Sequence, residues 1–139
     1  MCIRDRFDSA ADYLKQALSL QPDSARVLYN YGMLMQRQQH LTEAEHFYLK
    51  CLKEDPAFSE ALNNLGILYM IKKDFASAIR TFETASRLRP SNVNPMFNLA
   101  VAYDASGNYQ KALYWSRKAV RSSPELKQHP IIRKISKEK

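Results

Sequence analysis

Glycine is scarce in this chain, with three in 139 residues, and that excludes a glycine-rich loop for cradling phosphates. Cysteine is scarcer still. Cys2 and Cys51 cannot build a disulfide framework, and neither stands at metal-ligand spacing from His40, His46 or His129. No Gly-x-Ser-x-Gly elbow occurs, and no pair of carboxylates is set among apolar residues. No apolar run approaches the roughly 18 residues that a membrane-spanning helix needs. Nothing reads as a β-strand. The chain is therefore expected to be all-helical, non-catalytic, and without metal or cofactor.

What the sequence does hold is a period. Pro22, Pro56, Pro90 and Pro124 stand 34 residues apart, a spacing that marks stacked helical hairpins. In the same register fall Phe7, Leu41, Phe75 and Tyr109, then Ala10, Ala44, Ala78 and Ala112, and then Ala17, Cys51, Ala85 and Ala119. Leu28, Leu62 and Met96 form another column, as do Tyr31, Leu65 and Leu99, followed by Gly32, Gly66 and Ala100. Mid-helix glycine costs about 0.5–1 kcal/mol against alanine. Its recurrence points to a seam where two helices nearly touch. Because Ala100 fills the third place, alanine is expected to be tolerated at Gly66. Cys51, in a column of alanines, reads as a buried thiol serving as a small apolar residue.

These columns resemble the tetratricopeptide repeat (TPR) family, whose unit is two antiparallel helices with small residues at their crossing and a proline after the second. The resemblance runs from Phe7 to Pro124 and implies a right-handed α-solenoid. It departs from the family pattern where Leu28, Leu62 and Met96 replace a tryptophan. The aromatic column of Tyr48 and Phe82 also breaks, at Ser116, with Trp115 one place earlier.

The spacing predicts helices over 7–20, 25–38, 41–54, 59–72, 75–88, 94–106 and 109–122. Asp23, Ser24, Ser59, Asp74, Ser91, Asn92 and Asn108 are candidate N-caps. Pro95 sits in a first turn, and Gly107 with Asn108 forms an inter-helix turn. Half a unit (7–24) is thus followed by three complete ones (25–58, 59–92 and 93–124). The hexapeptide 1–6 precedes the register and reads as the translated end of a sequencing adapter. Residues 125–139 form a basic tail, in which Ile131, Ile132 and Ile135 are spaced for a short capping helix after Pro130.

The formal charge of +7 raises the question of a nucleic-acid partner. Lys53, Arg87 and Arg121 fall near helix C-termini, where cations complement the dipole, and no basic–aromatic interleaving suggests single-strand binding. A protein or peptide partner is expected instead. Asn30, Asn64 and Asn98 stand 34 apart on first helices, and asparagine is a poor mid-helix residue. A row of carboxamides, which both donate and accept, can clamp successive backbone amides of an extended peptide; the alternative is that they bond a neighbouring helix's backbone. The column resembles the asparagine ladder in the repeat arm of O-GlcNAc transferase.

By family register the concave groove should be lined by Arg26, Tyr29, Met33 and Arg37, then Glu60, Asn63, Ile67 and Ile71, then Asn94, Phe97, Val101 and Asp104. Of the lysine, arginine and asparagine cluster with which some family members grip an acidic C-terminus, only Asn64 has a match. The resemblance therefore implies an interaction scaffold that holds an extended segment. The rival is the non-catalytic arm of a larger enzyme such as a glycosyltransferase.

Overall fold

The computed structural model describes residues 3–137 and, from Ala10 onward, their side chains. Eight α-helices follow in order: α1 (Ile3–Leu20), α2 (Ala25–Arg37), α3 (Leu41–Glu54), α4 (Ser59–Ile71), α5 (Phe75–Leu88), α6 (Val93–Ala105), α7 (Tyr109–Ser122) and α8 (Pro130–Lys137), with a 3₁₀ turn over Pro124–Gln128 before the last. No strand occurs among the described residues. The chain divides into two compact units, residues 1–61 and 62–139.

Each boundary has a local cause. Ser24 caps α2 by accepting from the Val27 amide at 3.3 Å, and Asp74 caps α5 by accepting from Ser77 at 3.2 Å. Asn92 and Asn108 do the same for α6 and α7, accepting from the amides of Asn94 and Lys111. The Asn92 cap starts α6 at Val93, one residue before its expected start. Asp55, Arg89 and Ser123, each preceding a proline, have extended backbone with ψ between 80° and 92°, because the proline ring excludes the helical region there. Helix α1 begins at Ile3 rather than Phe7: no proline between Ile3 and Arg6 interrupts the helical path. Cys2 lies outside the described residues, and so does the side chain of Phe7.

The turns inside the hairpins share one geometry. Gln39, Lys73 and Gly107 all have positive φ, at 65°, 61° and 85°. Past them, the amides of His40, Asp74 and Asn108 donate to the carbonyls of Met35, Tyr69 and Tyr103 at 2.8–2.9 Å. This 6→1 bond is a Schellman closure, which satisfies carbonyls left orphaned at a helix end. It stops α2, α4 and α6 one residue short of their expected ends.

In unit 1, Ala44, Tyr48 and Cys51 of α3 are fully buried. A Cβ placed on Gly32 of α2 would stand 2.7 Å from Tyr48 Cε1 and 2.8 Å from Cδ1. In unit 2, a Cβ on Gly66 would meet the Phe82 ring, 2.6 Å from Cζ and closer still to Cε1. Phe82 is 1% exposed and has no room to retreat. Alanine at Gly66 is therefore not tolerated as Ala100 suggested. Ala100 is possible because its hairpin carries Ser116 where the others carry a ring. Ile135 of α8 joins the core cluster of Phe82, Leu99, Ala100, Tyr103 and Ala112.

Candidate binding surface on the first helices

In unit 1, α2 presents Asn30 and Met33, both half-buried. Tyr29, expected among the lining residues, is instead packed inside at 8% exposure, its ring 5.1 Å from Phe58 and 6.1 Å from Tyr48. Tyr48 donates its hydroxyl to Gln36 Oε1 at 2.6 Å. Arg26 lies over Phe58, 4.7 Å from the ring centroid, and reaches Glu60 at 3.8 Å. Both charged side chains are more than half exposed, so the pair adds little stability. The cation's main effect is to roof the Tyr29–Phe58 pair.

In unit 2 the amide of Asn98 on α6 donates to Asn63 Oδ1 on α4 at 2.7 Å. This is a side-chain bond between two first helices, distinct from both the ladder and the helix-backbone alternative. It runs diagonally across the register, 35 residues apart, so reading columns of 34 could not find it. Asn64 is half-buried, and Ile67 is 36% exposed. Phe97 and Val101 are half-buried on α6, and His129 packs edge-on against Phe97 at 4.9 Å. Asp104, also expected on the lining, is 8% exposed. Its Oδ2 accepts from Lys134 of α8 at 3.0 Å, while Oδ1 is buried without a partner among the described residues. A lone acid in the column of Gln36 and Met70, followed by a lysine-rich tail, was the available clue.

Titration behaviour argues against reactive chemistry at two groups. Burial, reinforced by the Asp55 carboxylate, pushes the Cys51 thiol up to about 11. Burial and a 2.7 Å bond to Glu83 push the Tyr103 hydroxyl up to about 12. Both stay protonated at neutral pH. Among the described residues no group of histidine, cysteine and carboxylate side chains could hold a metal ion, and no helix is long and apolar enough to cross a membrane.

Antiparallel helix pairs closed by one repeated turn, with small residues at each crossing, define an α-helical repeat protein of the solenoid class. Two tetratricopeptide repeat models match it, over residues 4–65 and 58–125, and the chain belongs to the TPR family. Among curated proteins it is 28% identical over 106 residues to the BBSome complex member BBS4 homolog of Drosophila melanogaster, covering 76% of this chain and 22% of that protein. It is also 28% identical over 103 residues to the human protein O-mannosyl-transferase TMTC3, covering 73% and 11%. The chain thus spans about a fifth or less of these relatives. Among solved structures, MamA from Desulfovibrio magneticus RS-1 matches with a TM-score of 0.85 at 23% identity, covering 96% of this chain and 76% of that one. YrrB, a TPR protein with an unusual peptide-binding site, matches with a TM-score of 0.79 at 18% identity, covering 97% and 68%. TPR arrays are protein-interaction scaffolds and not in themselves catalytic, and this chain is built as one.

Proposed function

We propose that the first helices hold an extended peptide segment of a protein partner, gripping its backbone through carboxamides and its side chains through apolar contacts. The observation that carries this reading is the Asn98–Asn63 pair. Each carboxamide has spent one group on the other, so the pair keeps an acceptor on Asn98 and donors on Asn63. Together these match the N–H and C=O of a peptide unit. Ile67 and Val101 supply apolar surface on the same two helices, with Phe97 next to Asn98. Asn30 and Met33 offer the same pairing of chemistries on α2, where Tyr29 braces the helix from inside. The column of Asn30, Asn64 and Asn98 remains part of the proposal, as the sequence-independent component of the grip. The peptide-binding site of YrrB, a protein of the same fold, supports the general mode.

The test begins with phage-displayed peptides selected against the full chain. Asn98→Ala and Asn63→Ala should each weaken a selected peptide about tenfold or less, as expected for one exposed hydrogen bond, and Ile67→Asp should weaken it further. Bound peptide should slow hydrogen exchange in α4 and α6. Protection confined to α5 and α7, with the asparagine variants binding as the parent does, would end this reading.

A further inference from the structure

Helices α5 and α7 carry Arg80, Arg87, Lys111, Arg117, Lys118 and Arg121 against a single carboxylate, Glu83. A helix C-terminus accounts for Arg87 and Arg121, which lie in last turns. It does not account for Arg80, Lys111, Arg117 and Lys118, which lie earlier. Glu83, which accepts the Tyr103 hydroxyl at 2.7 Å, keeps its negative charge, but it is one acid against six cations.

Between these two helices lies an open cleft of about 620 Å³, lined by Glu83, Ser86, Arg87, Pro90, Trp115 and Lys118. It lies where the aromatic column breaks. Ser116 takes the buried place that Tyr48 and Phe82 hold elsewhere, at 1% exposure. Trp115, one place earlier, is half-buried in the cleft wall. The place of Trp115 in the repeat is held by Phe47 in unit 1, whose ring is spent on Tyr31 of its own hairpin, 4.5 Å away. Lys118 stands over the indole, 5.0 Å from its centroid. Arg87 donates to Thr84 of its own helix at 3.2 Å, and neither cation is ion-paired among the described residues.

We propose that this cleft is a second binding site, on the second helices, for a peptide segment in which two acidic residues bracket an apolar side chain. Trp115 and Pro90 form an apolar seat between two cations that make no ion pair among the described residues. The volume falls in the range of pockets that enclose a few side chains. Lys118, half-buried 5.0 Å from the indole centroid, and Arg87, exposed on the facing wall, would each meet one carboxylate. The site is independent of the first-helix surface proposed above.

Trp115 is the chain's one tryptophan, so its emission reports on the cleft directly. The full chain is titrated with a library of 12-residue peptides that contain no tryptophan, each placing Asp or Glu on both sides of a central Leu, Phe or Pro. Members of the library should shift Trp115 emission saturably, with Kd below about 100 µM. Arg87→Glu with Lys118→Glu should raise Kd at least tenfold. Trp115→Ala, followed with fluorescein-labelled peptide, should raise it comparably, while Asn63→Ala should leave it unchanged. Circular dichroism melts confirm that the variants fold. The proposal fails if no peptide saturates below about 1 mM, if Asn and Gln replacements for the acids bind equally well, or if charge reversal leaves Kd unaltered. It also fails if Asn63→Ala abolishes binding.

Discussion

The α2/α3 and α6/α7 hairpins occupy the same register and solve the same crossing in opposite ways. In α2/α3, a glycine lets Tyr48 lay its ring against the backbone of the facing helix. In α6/α7, Ala100 and Ser116 hold those two places, both buried, and a helix from the tail adds Ile135 to the core. The α4/α5 hairpin follows the first pattern, with Gly66 and Phe82. What recurs through the repeat is therefore a pair of positions whose volumes compensate. Neither column has a fixed preference by itself.

That coupling can be broken most forcefully at Phe82. Phe82→Ser should cost about 3–5 kcal/mol in chemical denaturation, since the hydroxyl leaves most of a buried ring's space empty. Gly66→Ala alone should cost about 1–3 kcal/mol through overpacking. On the Phe82→Ser background the same change should gain about 0.5–1 kcal/mol, because the ring is gone and alanine is the better helix former. A cost that does not change sign between the two backgrounds would refute the coupling.

The next effect concerns what completes the α6/α7 hairpin. Lys134→Ala leaves the Asp104 carboxylate, whose side chain is 6% exposed, without its cation. Because the lysine itself is 58% exposed, the loss should be about 1–2 kcal/mol, below that of a fully buried pair. Amide exchange in α8 should speed up with it. Ala100→Gly, the reverse of the substitution forbidden at Gly66, should cost about 0.5–1 kcal/mol from helix propensity alone, read from the urea midpoint. The smallest change has the opposite sign. Gln39→Gly and Lys73→Gly give glycine the left-handed turn that Gly107 already makes, and each should raise the thermal midpoint by an amount equivalent to about 0.5–1 kcal/mol.

These cases show where the sequence was legible. Period, prolines and caps are local rules repeated in register, so helix ends fell within a residue of expectation from α2 to α7. The left-handed conformation at Gln39 and Lys73 was invisible because their side chains do not advertise it; only Gly107 did. Gly66 was misread because its meaning depends on a residue 16 positions away, whereas a column compares residues 34 apart. On the candidate surface, Asn63, Asn98, Phe97 and Val101 were legible as first-helix residues, but the burial of Tyr29 was not. That burial depends on Phe58, which sits in the connection between repeats and belongs to no helix. The cleft at Trp115 lies where the aromatic column of Tyr48 and Phe82 visibly fails.

Cys51 turns the unit 1 hairpin into a clock. A thiol held near 11 leaves about one molecule in ten thousand as thiolate at pH 7, and full burial denies reagents even that fraction. Any disulfide exchange at this sulfur must then wait for α3 to part from α2. With Cys2 replaced by serine, and with a bulky disulfide reagent concentrated enough that labelling outpaces reclosure, the labelling rate would count those partings one by one, reading the lifetime of the closed hairpin.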